Sequence, residues 1–180
     1  KTTALYDRLV ARGAVMGDVF GLENVLWFAK NPKDAHEEPT FKRSRSHGYV
    51  AEEVEAVRTS VGATEIANFA KHEINGSGSR KFLNYILAGR IPKPGRIVLT
   101  PMLTVKGKLY GDLTVACYSE EKFMIYGSGA AQEMHRRWFE KFLPKNGVKY
   151  KNRSDDFHGI AISGPNSRKL LSRICRDNVS

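Results

Sequence analysis

Two stretches of the chain nearly repeat each other. Ile74–Ile86 reads INGSGSRKFLNYI and Ile162–Ile174 reads ISGPNSRKLLSRI, 88 residues apart and identical at seven of thirteen positions. Each copy reads as the end of a strand, a tight turn containing Gly, a Ser, and a helix with Leu and Ile facing inward. A sharp turn from strand to helix needs the φ freedom of Gly. A Ser oxygen at the helix start can accept a hydrogen bond from the first free N–H groups, so Ser79 and Ser167 are expected to cap. The residues between the copies read as strand, strand, strand and helix. A strand–helix unit repeated around such an insert predicts an α+β fold, with antiparallel sheets, packed helices and ferredoxin-like βα repeats. The repeat is therefore architectural before it is a ligand contact.

The rest of the chain fits around that frame. Residues 3–12 read as a short helix closed by Gly13, with Leu5 and Leu9 on one face. Residues 14–48 show little periodicity; Phe20, Trp27 and Phe28 suggest an ordered connector pinned by aromatics, followed by a polar surface loop with Lys42, Arg43 and Arg45. From Tyr49, the residues Val50, Val54, Val57 and Val61 form one apolar helical stripe ending at Gly62. The expected organisation is thus an N-terminal helix and connector over 1–48 and a domain over 49–180. Within the latter, a strand near Ala70–Ile74 leads into a helix with Phe82, Leu83, Ile86 and Leu87, closed by Gly89 before Pro92 and Pro94. RIVLTPMLTV and KLYGDLTVACY read as a hairpin turning at Lys106-Gly107, and KFMIYG as the next strand. A helix over 130–143 is expected to turn Ala131, Met134, Trp138 and Phe142 inward, before a strand near GIAIS.

Composition restricts the function classes. Of 180 residues, 41% are hydrophobic and 10% aromatic, enough for a packed core, and no apolar run reaches the roughly 18 residues of a membrane span. The formal charge of +10 favours an anionic partner, but the basic residues are scattered and name none. Two cysteines, Cys117 and Cys175, are too few for a disulfide framework and point to a reducing intracellular compartment. The lack of an initiator Met, and an end that follows directly on a helical pattern, suggest a piece of a longer chain.

Short motifs mostly exclude. The GSG at Gly76–Gly78 has Lys81 where a dinucleotide fingerprint needs its third Gly, and the GSGAAQ from Gly127 has Gln132 there. No phosphate-binding loop or serine-hydrolase elbow is present, and none of His36, His47, His72, His135 and His158 has a metal-ligand partner at local spacing, so no metal is expected. The oddity is YGDLTVACY. Asp is depleted in strands, yet Asp112 stands in one. Alternation puts Leu109, Leu113, Val115 and Cys117 on one face and Tyr110, Asp112 and Thr114 on the other. Gly111 beside it leaves room for something to approach the backbone. Spacing alone leaves open an ordinary solvated strand Asp.

The stretches RIVLTPMLTVKGKLYGDLTV, MIYGSGAAQEMHRRWFEKFLP and GIAISGPNSRKLLSRI together resemble the folate-binding domain of the glycine-cleavage aminomethyltransferase (T-protein) superfamily. Within it, the chain resembles the folate portion of dimethylglycine and sarcosine dehydrogenases, and LYDRLVARGAVMGDVFGLENVLWFA resembles the segment that joins their flavin domain to it. The resemblance spans nearly all 180 residues. It implies tetrahydrofolate-dependent one-carbon transfer, in which the folate nitrogen takes up the methylene of an iminium released from dimethylglycine or sarcosine, or an aminomethyl group in glycine cleavage.

On that resemblance Asp112, in the strand pattern G-x-x-x-D-[LF]-x-V, is the catalytic carboxylate. It would accept the proton lost by the folate nitrogen and stabilise the cation. Phe69, Leu99, Leu103, Tyr126 and Ser128 fall at cofactor-lining positions, with Ser128 where glycine-cleavage members have Asn. The implied partners are folate, a small methylated amine or its iminium, and an FAD-binding flavin domain lying outside these residues. A second acidic pterin contact and basic residues for the glutamate tail belong to a later half, so this segment alone is expected to be inactive. The implied compartment is bacterial cytoplasm or mitochondrial matrix, with no membrane or nucleic-acid partner. A non-catalytic homologue of the same fold and an RNA-associated member are the alternatives. Retention of Asp112 argues against the first, and lack of a K-G-C-Y-x-G-Q-E stretch against the second.

Overall fold

The computed structural model describes residues 1–179. They form two compact units: Lys1–Ala67 together with the stretch from His158, and Asn68–Phe157. No helix among the described residues is long and apolar enough to cross a membrane.

The first unit begins with α1 (Tyr6–Val10), followed by β1 (Ala14–Val19) and β2 (Leu22–Phe28), which pair antiparallel. The connector expected over 14–48 is thus a hairpin in its first half. Its alternation is hidden by a register shift between Val15 and Met16 and by Gly17, which break the period-two pattern. Val15, Trp27 and Ala29 are buried, and the Trp27 ring stacks on Tyr49 at 5.2 Å. Tyr49 lies in α2 (Ser46–Thr59), which has no buried residue: Val50 and Val54 are 37% and 49% exposed, and Val61 lies outside the helix. The expected apolar stripe therefore does not seal a core. The chain leaves the helix at Ser60 and is drawn into β3 (Gly62–Glu65), a short strand that takes the place of the last helical turn.

The second unit holds the larger core. It starts with β4 (Phe69–Asn75) and α3 (Ser79–Ile86), then β5 (Arg96–Leu103), β6 (Leu109–Ser119) and β7 (Lys122–Ser128). A short 3-10 turn leads into α4 (Gln132–Phe142), and β8 (Lys149–Asn152) completes the unit. The sheet order is β5-β6-β7-β4-β8, every neighbour antiparallel. Strand β8, KYKN, is an edge strand too short and polar to show in a hydrophobicity pattern. One sheet face carries Ile74, Leu113, Val115, Phe123 and Ile125, all fully buried, and α3 adds Phe82, Leu83 and Ile86. On α4 the buried pair is His135 and Phe139, with Met134, Trp138 and Phe142 only partly covered, so the inward face is turned by one residue from that expected. A buried imidazole reads as polar in sequence, which is why the expected stripe missed it.

The chain then returns to the first unit through β9 (Ile160–Ser163), which pairs antiparallel with β3, and α5 (Ser167–Ile174). Both copies of the repeated phrase are therefore strand–turn–helix units. Gly76 and Gly164 take the same left-handed turn, at φ 128° and 121°. The serine caps do not form. Gly78 and Asn166 occupy the cap positions without side-chain bonds to the helix N–H groups, and Ser167 Oγ instead donates to the Gly164 carbonyl at 2.7 Å.

Candidate functional site

The sheet face opposite the core of the second unit carries the unusual Asp. Register sets its neighbours: Leu99 on β5 pairs with Thr114 on β6, Thr114 with Tyr126 on β7, and Tyr126 with Lys71 on β4. Two residues along, Asp112 faces Pro101, and Phe69 faces Ser128. These rows form the floor of a concavity of about 340 Å³ lined by Phe69, Leu99, Asp112, Thr114, Tyr126 and Ser128, closed on one side by Asn68.

Five of the six residues expected at a site thus meet in one pocket. Leu103 does not join them. The β5–β6 register shifts between Met102 and Leu103, leaving Tyr110 of β6 as the extra residue, and Leu103 lines a different cleft, next to Trp138 and Phe142. Asn68 and Thr114 are lining residues that the resemblance did not supply. Thr114 was legible as a face-mate of Asp112 by alternation, whereas Asn68, in a turn, carries no sequence signal.

Asp112 is exposed within this concavity, and no hydrogen bond or ion pair holds its carboxylate among the described residues. Its acceptor atoms are available to a ligand. Gly111 does permit a close approach, but from inside the protein: a side chain there would meet His135 Nε2 at 2.9 Å on the core side. That imidazole also contacts the Tyr110 carbonyl at 3.3 Å. The core therefore packs against Gly111 and the Tyr110 carbonyl just before it, while Asp112 itself is held in register opposite Pro101.

Tyr126 is half-buried, and desolvation, then a hydrogen bond with Tyr118, pushes its phenol up to about 12, so it remains a donor at neutral pH. Phe69 and Leu99 are 46% and 68% exposed, apolar surface open to a ligand. Lys71 is buried beside this face, donates to the Phe69 carbonyl at 2.7 Å, and has its pKa lowered by burial. Together these residues offer two apolar walls, two hydroxyls, a phenol and an unpaired carboxylate. Such a set suits a flat, polar-edged ring whose N–H groups or developing positive charge meet Asp112. No group of three or more His, Cys, Asp or Glu is arranged to hold a metal among the described residues.

Residues 5–180 match the model of the GCVT N-terminal domain, and the chain belongs to that family. It is 33% identical over 183 aligned positions to human mitochondrial dimethylglycine dehydrogenase, covering 100% of this chain and 21% of that protein. It is 29% identical over 176 positions to the aminomethyltransferase of Thermosipho melanesiensis, covering 97% of this chain and 43% of that enzyme. Among solved structures, the glycine cleavage system aminomethyltransferase T from Bartonella henselae superposes with a TM-score of 0.76 at 18% identity, covering 96% of this chain and 43% of that one. The heterotetrameric sarcosine oxidase from Corynebacterium sp. U-96 gives 0.51 at 14% identity, covering 78% of this chain and 70% of that one. The α+β architecture of antiparallel sheets and packed helices is thus that of the aminomethyltransferase fold, and the chain spans less than half the length of these curated relatives.

Proposed function

We propose that this chain supplies one wall of a folate site for one-carbon transfer, with Asp112 as its catalytic carboxylate. The observation that carries the reading is the convergence of Asp112, Tyr126, Phe69, Leu99 and Ser128 on one pocket, with the carboxylate left unpaired. The residues fit a reduced pterin: Phe69 and Leu99 offer apolar contact to its faces, and Asp112, Thr114 and Ser128 offer polar contact to its edge. When bound, tetrahydrofolate supplies the nucleophilic nitrogen that takes up the one-carbon unit. Asp112 accepts the proton released there and stabilises the positive charge that precedes its release, a role worth roughly 10²–10⁴-fold in rate. Tyr126, kept protonated, donates a hydrogen bond from the neighbouring strand. With Phe69 and Leu99 covered by the bound group, water would be excluded beside Asp112, which would strengthen the carboxylate's field.

The accompanying proposals follow from the relatives. The one-carbon donor is a small methylated amine such as dimethylglycine or sarcosine, or its iminium, and a flavin domain of the same polypeptide or complex produces it. The chain works in a mitochondrial matrix or a bacterial cytoplasm. Further folate contacts come from segments outside these residues.

The test uses the whole polypeptide that carries this segment. Tetrahydrofolate binding is measured by calorimetry and methylene transfer by formation of methylenetetrahydrofolate, for wild type and Asp112→Asn. Binding within about threefold of wild type with transfer reduced at least about 100-fold is expected. Unchanged transfer by Asp112→Asn, or no response of the wild type to folate, would sink the reading.

A further inference from the structure

On the opposite side of the sheet from Asp112, the second unit leaves a second concavity, of about 270 Å³, between the end of α3, the β5–β6 hairpin and α4. Its lining includes Tyr85, Leu87, Leu103, Val105, Trp138 and Phe142. The aromatics form a continuous series: Tyr85 lies 6.0 Å from Phe142, Phe142 4.9 Å from Trp138, and Trp138 4.5 Å from Tyr110. The lining is open to solvent, Tyr85 being 73% and Val105 85% exposed, and Leu109, the strand partner of Leu103, is 66% exposed. A core residue would not be left so open, and exposed Tyr85, Val105 and Leu109 beside the half-buried Trp138 and Phe142 mark a contact surface.

The exposed charges next to the lining segments are mostly basic. Exposed Lys106 and Lys108 stand in the hairpin turn directly after Val105, and exposed Arg90 follows the lining segment at the end of α3. Lys141 Nζ lies over the rings of Trp138 and Phe142, at 5.6 and 5.4 Å. Among the described residues the carboxylate nearest in sequence to the lining is Glu140, and it is engaged by Arg136 at 2.7 Å. The cleft is therefore an aromatic slot with Lys141 over its rings and with Lys106, Lys108 and Arg90 close to its lining residues along the chain.

We propose that this cleft is a protein-docking surface, separate from the Asp112 pocket, and that its partner is an acidic segment bearing an aromatic or aliphatic anchor. The anchor enters between Trp138, Phe142 and Leu103. Flanking carboxylates meet Lys106, Lys108 and Lys141, which sets the selectivity and the salt dependence of the contact.

The probe is a synthetic peptide, acetyl-EELFEE-amide, with acetyl-KKLFKK-amide as its charge-reversed control. Binding is read by isothermal titration calorimetry on the whole polypeptide that carries this segment. Saturable binding of the acidic peptide is expected, at least tenfold tighter than the basic one and weakening as salt is raised. The exposed substitutions Lys106→Glu, Lys108→Glu and Lys141→Glu together should weaken it at least tenfold, and Tyr85→Ser at least threefold, with the circular dichroism spectrum unchanged. Equal binding of both peptides, binding indifferent to these substitutions, or no binding of the acidic peptide up to millimolar concentration overturns the proposal.

Discussion

In the first copy of the repeated phrase, Phe82, Leu83 and Ile86 are 5%, 0% and 7% exposed, packed by α3 onto the face of a five-stranded sheet. In the second, the matching residues are Leu170, Leu171 and Ile174, and α5 has no buried residue; Ile174 is 66% exposed. Yet the turns are the same, with Gly76 and Gly164 within a few degrees of each other in φ. The strand equivalent to β4 is β9, which among the described residues pairs with β3 in a two-stranded sheet. A two-stranded ladder offers too little apolar surface to cover a helix. The phrase therefore sets a local backbone, and the number of strands beside it decides whether its aliphatics become core.

The largest effect should separate the copies by truncation. Leu83→Ala deletes a fully buried side chain and is expected to cost about 2–5 kcal/mol, whereas its counterpart Leu171→Ala should cost less than about 1 kcal/mol. Urea unfolding followed by single tryptophans reads this unit by unit, Trp138 for the first copy and Trp27 for the second. Equal losses would break the comparison.

A second difference is chemical. His72 in β4 corresponds to Ile160 in β9, so only the first copy carries a buried imidazole. Its pKa is pushed down to about 4 from 6.5, by burial first and by His135 next, while Glu133 pulls the other way. Its Nδ1 is 2.9 Å from the Tyr150 hydroxyl. The unfolded chain thus takes up the proton before the folded one does. The resulting stabilisation is complete above about pH 6.5 and is lost as pH falls from there through about 4, on the order of 3 kcal/mol in all. Unfolding midpoints from the Trp138 signal should drop over that window, and His72→Gln should flatten the slope. A slope unchanged by that substitution would assign the acid sensitivity elsewhere.

The smallest effect should be the one the copies share. A methyl group at Gly76 would lie 2.4 Å from the Gly147 carbonyl oxygen, and one at Gly164 would lie 2.5 Å from that of Ser60. Each Gly→Ala change also meets the left-handed penalty of roughly 1–2 kcal/mol. Similar losses of at least that size in the two units would sharpen the view that the turn is common property. A loss at one site alone would show that the glycine serves packing there rather than the turn.

The parts of the fold legible in sequence are those with strong local signals. The β5–β6–β7 run, the turn glycines and α3 showed through alternation, Lys106-Gly107 and helical spacing. The β1–β2 hairpin was hidden by its bulge, β3 and β8 by shortness and polarity, and the inward face of α4 by a buried His135. At the candidate site, alternation put Asp112 and Thr114 together, and resemblance supplied Phe69, Leu99, Tyr126 and Ser128. Leu103, which the resemblance also supplied, lines the other cleft, at the point where the β5–β6 register shifts, and nothing in the local sequence marks that shift.

Periodicity and turn chemistry, which act over a few residues, determined by themselves that this chain builds strand–turn–helix units and an antiparallel hairpin carrying an acidic residue on its outer face. Pairing over long sequence separation decided the rest: that β4 lies between β7 and β8, that Phe69 therefore meets Asp112 in one pocket, and that one helix is buried while its near-copy is not. Those outcomes depend on which strands find one another across the chain, and hydrogen-bond partners and buried area are properties of the assembled sheet rather than of any segment within it.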